Sequence, residues 1–247
     1  MRNQRNRYAM GYALGFAIFC IISALISLLL ILPMINFSLP MPSANVSVKS
    51  NLTIVIDAGH GGEDGGAEGN ELVEKELNLD ISKRLASLLR NAGINVVMTR
   101  EDDILLYDVN SDYEGKKKYQ DVRRRLEIAQ SQENPILVSI HMNYFAQTQY
   151  SGLQVWYSKN DAHSRILANL VQSNVKLSLQ PKNKRNIKEA TSAIFLLHNA
   201  TFPAVLIECG FLSNPDEARA LDDENYRQEL AKAIFQAIMT YISQNNT

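Results

Sequence analysis

The sequence predicts an α/β fold: one domain with a largely parallel, twisted sheet covered by helices on both faces, preceded by a single N-terminal transmembrane helix. Two observations predict the domain. Short apolar runs rich in β-branched residues alternate with longer segments whose leucines and isoleucines recur at helical spacing. Helices of that length between strands favour parallel neighbours buried on both faces. The transmembrane expectation rests on a third observation: residues 8–32 pass without a charge.

At 1.5 Å per residue that stretch is long enough to cross a hydrocarbon layer of ~30 Å. Arg2, Arg5 and Arg7 precede it with no acidic residue nearby. The positive-inside rule therefore puts residues 1–7 in the cytoplasm and the rest of the chain outside. An uncleaved anchor is favoured over a cleaved secretory signal, whose apolar core is usually only ~7–15 residues. Cleavage would make the protein secreted. Residues 33–50 hold three prolines and one charge and read as a linker, which leaves 51–247 as the soluble domain.

Along that domain, Leu52–Ile56 is a strand that ends in glycines. Leu77, Ile81, Leu85, Leu88 and Leu89 mark a helix that Gly93 stops. Ile94–Met98 is the second strand, 99–116 a long loop and 117–131 a helix. Strands follow at Ile136–Ile140 and Leu153–Tyr157, then a helix at Ala162–Leu179. Ala193–Leu197 and Ala204–Ile207 are two more expected strands, and Asn225–Ser243 is a closing amphipathic helix. The strand order is left open.

Composition excludes several classes. The chain is 46% hydrophobic and 21% charged, so disorder is ruled out. A formal net charge of −1 gives no basis for nucleic-acid binding. Two cysteines, Cys20 and Cys209, make neither a disulfide scaffold nor a zinc ribbon.

The chemistry collects at strand ends. The first strand runs into Asp57-Ala58-Gly59-His60-Gly61-Gly62, the third into His141-Met142-Asn143, and the last into Glu208-Cys209-Gly210. Open α/β sheets place their sites at the carboxyl ends of strands. Two histidines and a carboxylate suit a hydrolytic zinc, which takes three protein ligands and keeps a position open. Spacing alone leaves the carboxylate open among Glu63, Asp64, Glu68, Glu71, Glu74, Glu76 and Glu208. Glu74 reads equally well as an acid complementing a helix N-terminus. The glycine loop matches neither phosphate-binding pattern and carries two acids, so phosphate binding is set aside. Cys209 reads as a small buried residue and His163 as surface. The cluster Lys116–Lys118 and Arg123–Arg125 reads as a solvated helix face, with anionic glycan or a membrane surface as the sharper alternative and Arg125 free to turn inward.

Four ordered segments carry a resemblance: Ile56–Gly62, Glu74-Lys75, Ser139–Asn143 and Pro203–Asn214. Together they resemble the zinc-dependent N-acetylmuramoyl-L-alanine amidases, over essentially all of residues 51–245. One anchor before one soluble domain is most similar to the membrane-anchored, germination-specific members that prepare muramic-δ-lactam in spore cortex. The resemblance implies Zn2+ on His60, Glu74 and His141, and Glu208 as the catalytic group that moves a proton from water to the leaving amine. It matches Thr99-Arg100, Arg125 and Asn143 to family positions. Asp57, Asn143, Arg125 and His198 are thereby candidates for orienting ligands or substrate. Ala58 departs from a proline common in relatives. The implied partners are peptidoglycan glycan strands with their stem peptides, the membrane through the N-terminal helix, and an activating lipoprotein required by some members. The alternatives are a non-catalytic peptidoglycan-binding or regulatory module on the same fold, or a zinc peptidase cutting a stem-peptide bond.

Overall fold

The structure, a computed structural model, describes residues 51–107 and 116–245. The expected anchor and linker, residues 1–50, and part of the long loop lie outside the described residues. Among the described residues no helix is long and apolar enough to cross a membrane.

In chain order the elements are β1 (Thr53–Ala58), β2 (Glu68–Gly69), β3 (Leu72–Val73), α1 (Glu74–Asn91), β4 (Asn95–Met98), α2 (Lys117–Gln130) and β5 (Pro135–Asn143). They continue with β6 (Gln154–Tyr157), α3 (Ala162–Ser178), β7 (Lys188–Glu189), α4 (Phe195–Asn199), β8 (Ala204–Phe211), α5 (Pro215–Asp222) and α6 (Glu224–Asn245). The main sheet runs β4-β1-β5-β8-β6-β7. Its first four strands are parallel, β6 is antiparallel to β8, and β7 runs parallel to β6. The sheet is thus mixed at one edge and parallel where the sequence placed its chemistry.

All six residues of β1 are buried, which explains an apolar run with no polar alternation. One face, with Ile54, Ile56, Val138, Ile140 and Ile207, packs beneath α1, α3 and α6. The other, with Val55, Leu137 and Leu206, is covered by α2 and α4. Side chains alternate along a strand. Asp57, Ser139, His141 and Glu208 therefore continue the second face to the carboxyl rim. Register sets them side by side, Asp57 opposite Ser139 and His141 opposite Glu208.

One expectation is corrected, and one element is new. Ala193–Leu197 is not a strand: Phe195–Asn199 is a short helix that buries Leu196 and Leu197 against the second face. A five-residue apolar run has too little periodicity to separate the two states. The glycine loop also contains a hairpin, β2–β3, turned by Asn70 and Glu71 at φ 50° and 67°. Positive φ at both central residues is what a tight hairpin turn requires.

Candidate metal centre

β1 hands the chain to a loop that folds back over the ends of β1 and β5. His60 sits at φ 60°, the left-handed region that costs a side-chain-bearing residue energy. Two glycines are obligatory nearby. A Cβ on Gly59 would stand 2.2 Å from the His141 ring, and one on Gly66 would stand 2.6 Å from Glu74 Oε2. The loop therefore packs directly on the side chains it positions.

Glu74 opens α1, so it does lie at a helix N-terminus, yet its carboxylate turns inward and is buried. Ala67 N donates to Oε2 at 2.7 Å, and Met142 N donates to Oε1 at 3.0 Å. Asn78 Nδ2 lies 3.3 Å from the same Oε1. Around that oxygen stand His141 Nδ1 at 2.9 Å and His60 Nε2 at 3.3 Å. Ligand atoms of His60, Glu74 and His141 all lie within 4.8 Å of one another. Burial raises the Glu74 carboxyl, but the hydrogen bonds and charges of His141 and His60 hold it well below the usual carboxylate range. A tetrahedral ion with bonds of ~2.0–2.2 Å needs donors roughly 3.3–3.6 Å apart, and the His60–Glu74 separation matches. His141 Nδ1 stands closer to Glu74, at 2.9 Å, than two ligands of one ion would; the set has the donor composition of a three-ligand zinc site and faces the cleft.

His60 Nδ1 meets Asp64 Oδ2 at 2.8 Å, an arrangement that holds the proton on Nδ1 and leaves Nε2 free to coordinate. Asp57 is fully buried and receives Thr99 Oγ1 at 2.7 Å, Ser139 Oγ at 2.6 Å and Arg125 Nη1 at 2.8 Å. Arg125 turns inward from α2. It pairs with Asp121 at 2.7 Å and donates to the carbonyls of Ala58 and His60, each at 2.7 Å. Arg100, also buried, clamps the carbonyls of Ala58, Gly59 and Lys75. These two guanidiniums fix the backbone that carries His60. The other cations of α2 stay on the surface: Lys117 pairs with Glu63, Lys118 with Asp64, and Arg123 and Arg124 with Glu127.

Glu208 stands beside His141 in a cleft of about 260 Å³, walled by Val122 of α2 and by Ile194, Phe195 and Leu196. Its Oε2 is buried with no hydrogen-bond partner. Burial, with the charge of Glu74 second, pushes the Glu208 carboxyl up to about 8. A buried carboxyl oxygen without a partner is costly, and a divalent cation beside it would offset the charge that Glu208 and Glu74 bring together.

The remaining candidates are placed as follows. Asn143 follows His141 in β5, and its side chain hydrogen-bonds none of the three clustered residues. His198 is exposed on α4 and lines no wall of the cleft. His163 is exposed, and Cys209 is fully buried with its thiol pushed up by burial. Asp64 as the partner of His60 and Arg100 as a backbone clamp were missed as roles. The four-residue separation of His60 and Asp64 was the available signal, but a loop has no fixed period to read it with.

Comparison with known proteins agrees with this geometry. The sequence pattern of the N-acetylmuramoyl-L-alanine amidase family matches residues 54–240. A germination-specific N-acetylmuramoyl-L-alanine amidase of Bacillus subtilis is 33% identical over 195 residues, covering 79% of this chain and 81% of that one. The CwlD amidase of Clostridioides difficile, solved in complex with the GerS lipoprotein, superposes with a TM-score of 0.73 at 39% identity, over 78% of this chain and 99% of that one. The AmiC2 amidase of Nostoc punctiforme gives 0.67 at 29% identity, over 78% and 98%.

Proposed function

The chain belongs to the N-acetylmuramoyl-L-alanine amidase family and is a peptidoglycan amidase; from that premise we propose how its own residues divide the reaction. His60, Glu74 and His141 hold a zinc ion. Zinc, when bound, supplies Lewis acidity that polarises a carbonyl and brings the acidity of water near neutrality. The bond cut is the amide joining the lactyl group of N-acetylmuramic acid to L-alanine.

Glu208 is the proton carrier: its carboxylate takes a proton from the attacking water and returns it to the departing alanine nitrogen. Asp64 keeps His60 in one tautomer. Arg125 and Arg100 hold the loop carbonyls so that the imidazole does not have to reorganise during the reaction. Val122, Ile194, Phe195 and Leu206 make an apolar wall that excludes solvent from the reacting amide.

The observation that carries this reading is the unpartnered Oε2 of Glu208 beside a His-Glu-His cluster. Glu208→Gln should keep fold and zinc but lose at least a hundredfold in turnover. Zinc stoichiometry together with mass analysis of muropeptides tests it. Loss of zinc in this variant would make Glu208 a ligand instead and remove it from the proton-carrier role.

Likeness to a germination-specific amidase supports a finer assignment to muramic-δ-lactam formation in spore cortex. The likeness to an amidase solved with a lipoprotein supports a lipoprotein partner. The uncharged run at residues 8–32 supports a single membrane anchor with residues 51–247 outside the cell membrane.

A further inference from the structure

A second cavity lies not over the His-Glu-His cluster but farther along the same rim, where β6 begins. It encloses about 750 Å³ and is lined by Tyr150, Gly152, Lys182, Lys184, Arg185 and Glu217. The loop that carries its cations is built rather than loose. Asn183 Nδ2 donates to Leu153 O and to Gln180 Oε1, each at 2.9 Å, and Asn183 Oδ1 accepts from Arg185 N at 2.9 Å. Gly152, at φ 93°, lets Asn183 approach so closely that a Cβ there would stand 2.6 Å from it.

Arg185 is held in place in turn. Its Nε donates to Ser151 O at 2.8 Å, its Nη1 reaches Gln154 Oε1 at 3.4 Å, and its guanidinium lies 4.4 Å above the Phe211 ring. Among the described residues Nη2 has no partner, nor do the ammonium groups of Lys182 and Lys184. The acids nearby are already engaged: Glu217 accepts from Gly152 N at 2.7 Å and Phe211 N at 2.8 Å, and Asp216 pairs with Arg219. The lining holds three cations against Asp216 and Glu217, and Arg185 already acts on the Glu217 charge, so the balance at the cavity is positive by one and partly pre-organised, a setting in which a guanidinium binds a carboxylate well.

Position says which carboxylate. Gln154 is the cross-strand partner of Glu208. With strands ~4.8 Å apart, a guanidinium on Gln154's far side stands roughly 10 Å from Glu208 along the rim. That is about three extended residues at ~3.3 Å each. We propose that this cavity is an anion subsite for a carboxylate on the second or third residue of the peptidoglycan stem peptide, with Arg185 as the main contact and Lys182 and Lys184 as supports. The proposal rests on the amidase reading above and makes the enzyme sensitive to amidation of the stem.

The test measures binding by calorimetry to the full chain carrying Glu208→Gln, which blocks turnover. The probes are N-acetylmuramoyl tripeptides whose second- and third-residue carboxyls are both free or both amidated. The free acid should bind about fivefold more tightly, and adding R185Q should bring the ratio close to one. Equal binding of the two probes, no binding of either, or an unaltered ratio in R185Q would overturn the subsite. Where R185Q melts below its parent, the K182Q/K184Q double variant decides: a ratio cut at least twofold supports the subsite, and an unaltered ratio overturns it. Muropeptide analysis with the unsubstituted chain reports separately on the amidase reading, because absence of lactyl-amide cleavage leaves the binding ratio untouched.

Discussion

Asp57 shows how a buried residue beside the cleft governs the site. Burial alone would raise its carboxyl, but the charges of Arg125 and His141 and the bonds from Ser139 and Arg125 hold it at about 2, against an ordinary 3.8. A carboxyl depressed in the folded state adds stability that is complete above its unfolded value and disappears as pH falls through the folded one. Between pH 4 and pH 2 the domain should therefore lose on the order of 2 kcal/mol from this group alone. Denaturant titrations across that range should show a drop that Asp57→Asn flattens. The same variant should cost about 2 kcal/mol at pH 7, because it removes one of the two carboxylates that neutralise the buried Arg125 and leaves Asp121 alone to do so. At Gly59 the argument is steric. Gly59→Ala puts a methyl into the His141 ring, so zinc content should fall together with stability. An alanine variant with full zinc and an unchanged melting point would show that the loop does not press on that histidine.

Among the elements, those that carry the site were legible and the small ones were not. β1, β5 and β8 announce themselves because strands buried on both faces must be continuously apolar, which makes the Asp57, His141 and Glu208 that follow them conspicuous. Glu74 was not separable by spacing from six other acids. Its identity depends on the hairpin β2–β3 folding back so that Ala67 N meets its carboxylate, a long-range fact that no local pattern contains. α4 was misread because five residues cannot display a period. α5 was passed over although Asn214-Pro215-Asp216-Glu217 is a helix start: Asn214 Oδ1 accepts from the backbone N–H groups of Asp216 and Glu217, and Pro215 follows the cap. Asn214→Ala should then cost about 1 kcal/mol, a fall of ~2–4 °C in melting temperature for a domain of this size. Calorimetry would read this directly. A null result would mean that α5 is held by Ala218 and Leu221 in the core rather than by its cap.

For the molecule as a whole, the metal cluster joins parts of the chain that the hydrophobic core does not. His60 belongs to a loop, Glu74 to the first turn of α1, and His141 to the end of β5. Any ion held by all three closes the loop between residues 60 and 74 onto the sheet and binds the folded state alone, so it must raise stability by mass action. At free zinc about a hundredfold above its dissociation constant the gain is ~2.7 kcal/mol. A chelator should therefore lower the melting temperature by several degrees, and added zinc should restore it. The three kinds of variant then separate without any activity assay. Glu208→Gln should keep the zinc-dependent shift, since it is assigned to proton transfer. His141→Ala should lose it, since it is assigned to coordination. R185Q should keep it, since its cavity lies farther along the rim. A zinc-dependent shift that survives His141→Ala at full size would place the ion elsewhere and dissolve the link between the cluster and the reaction.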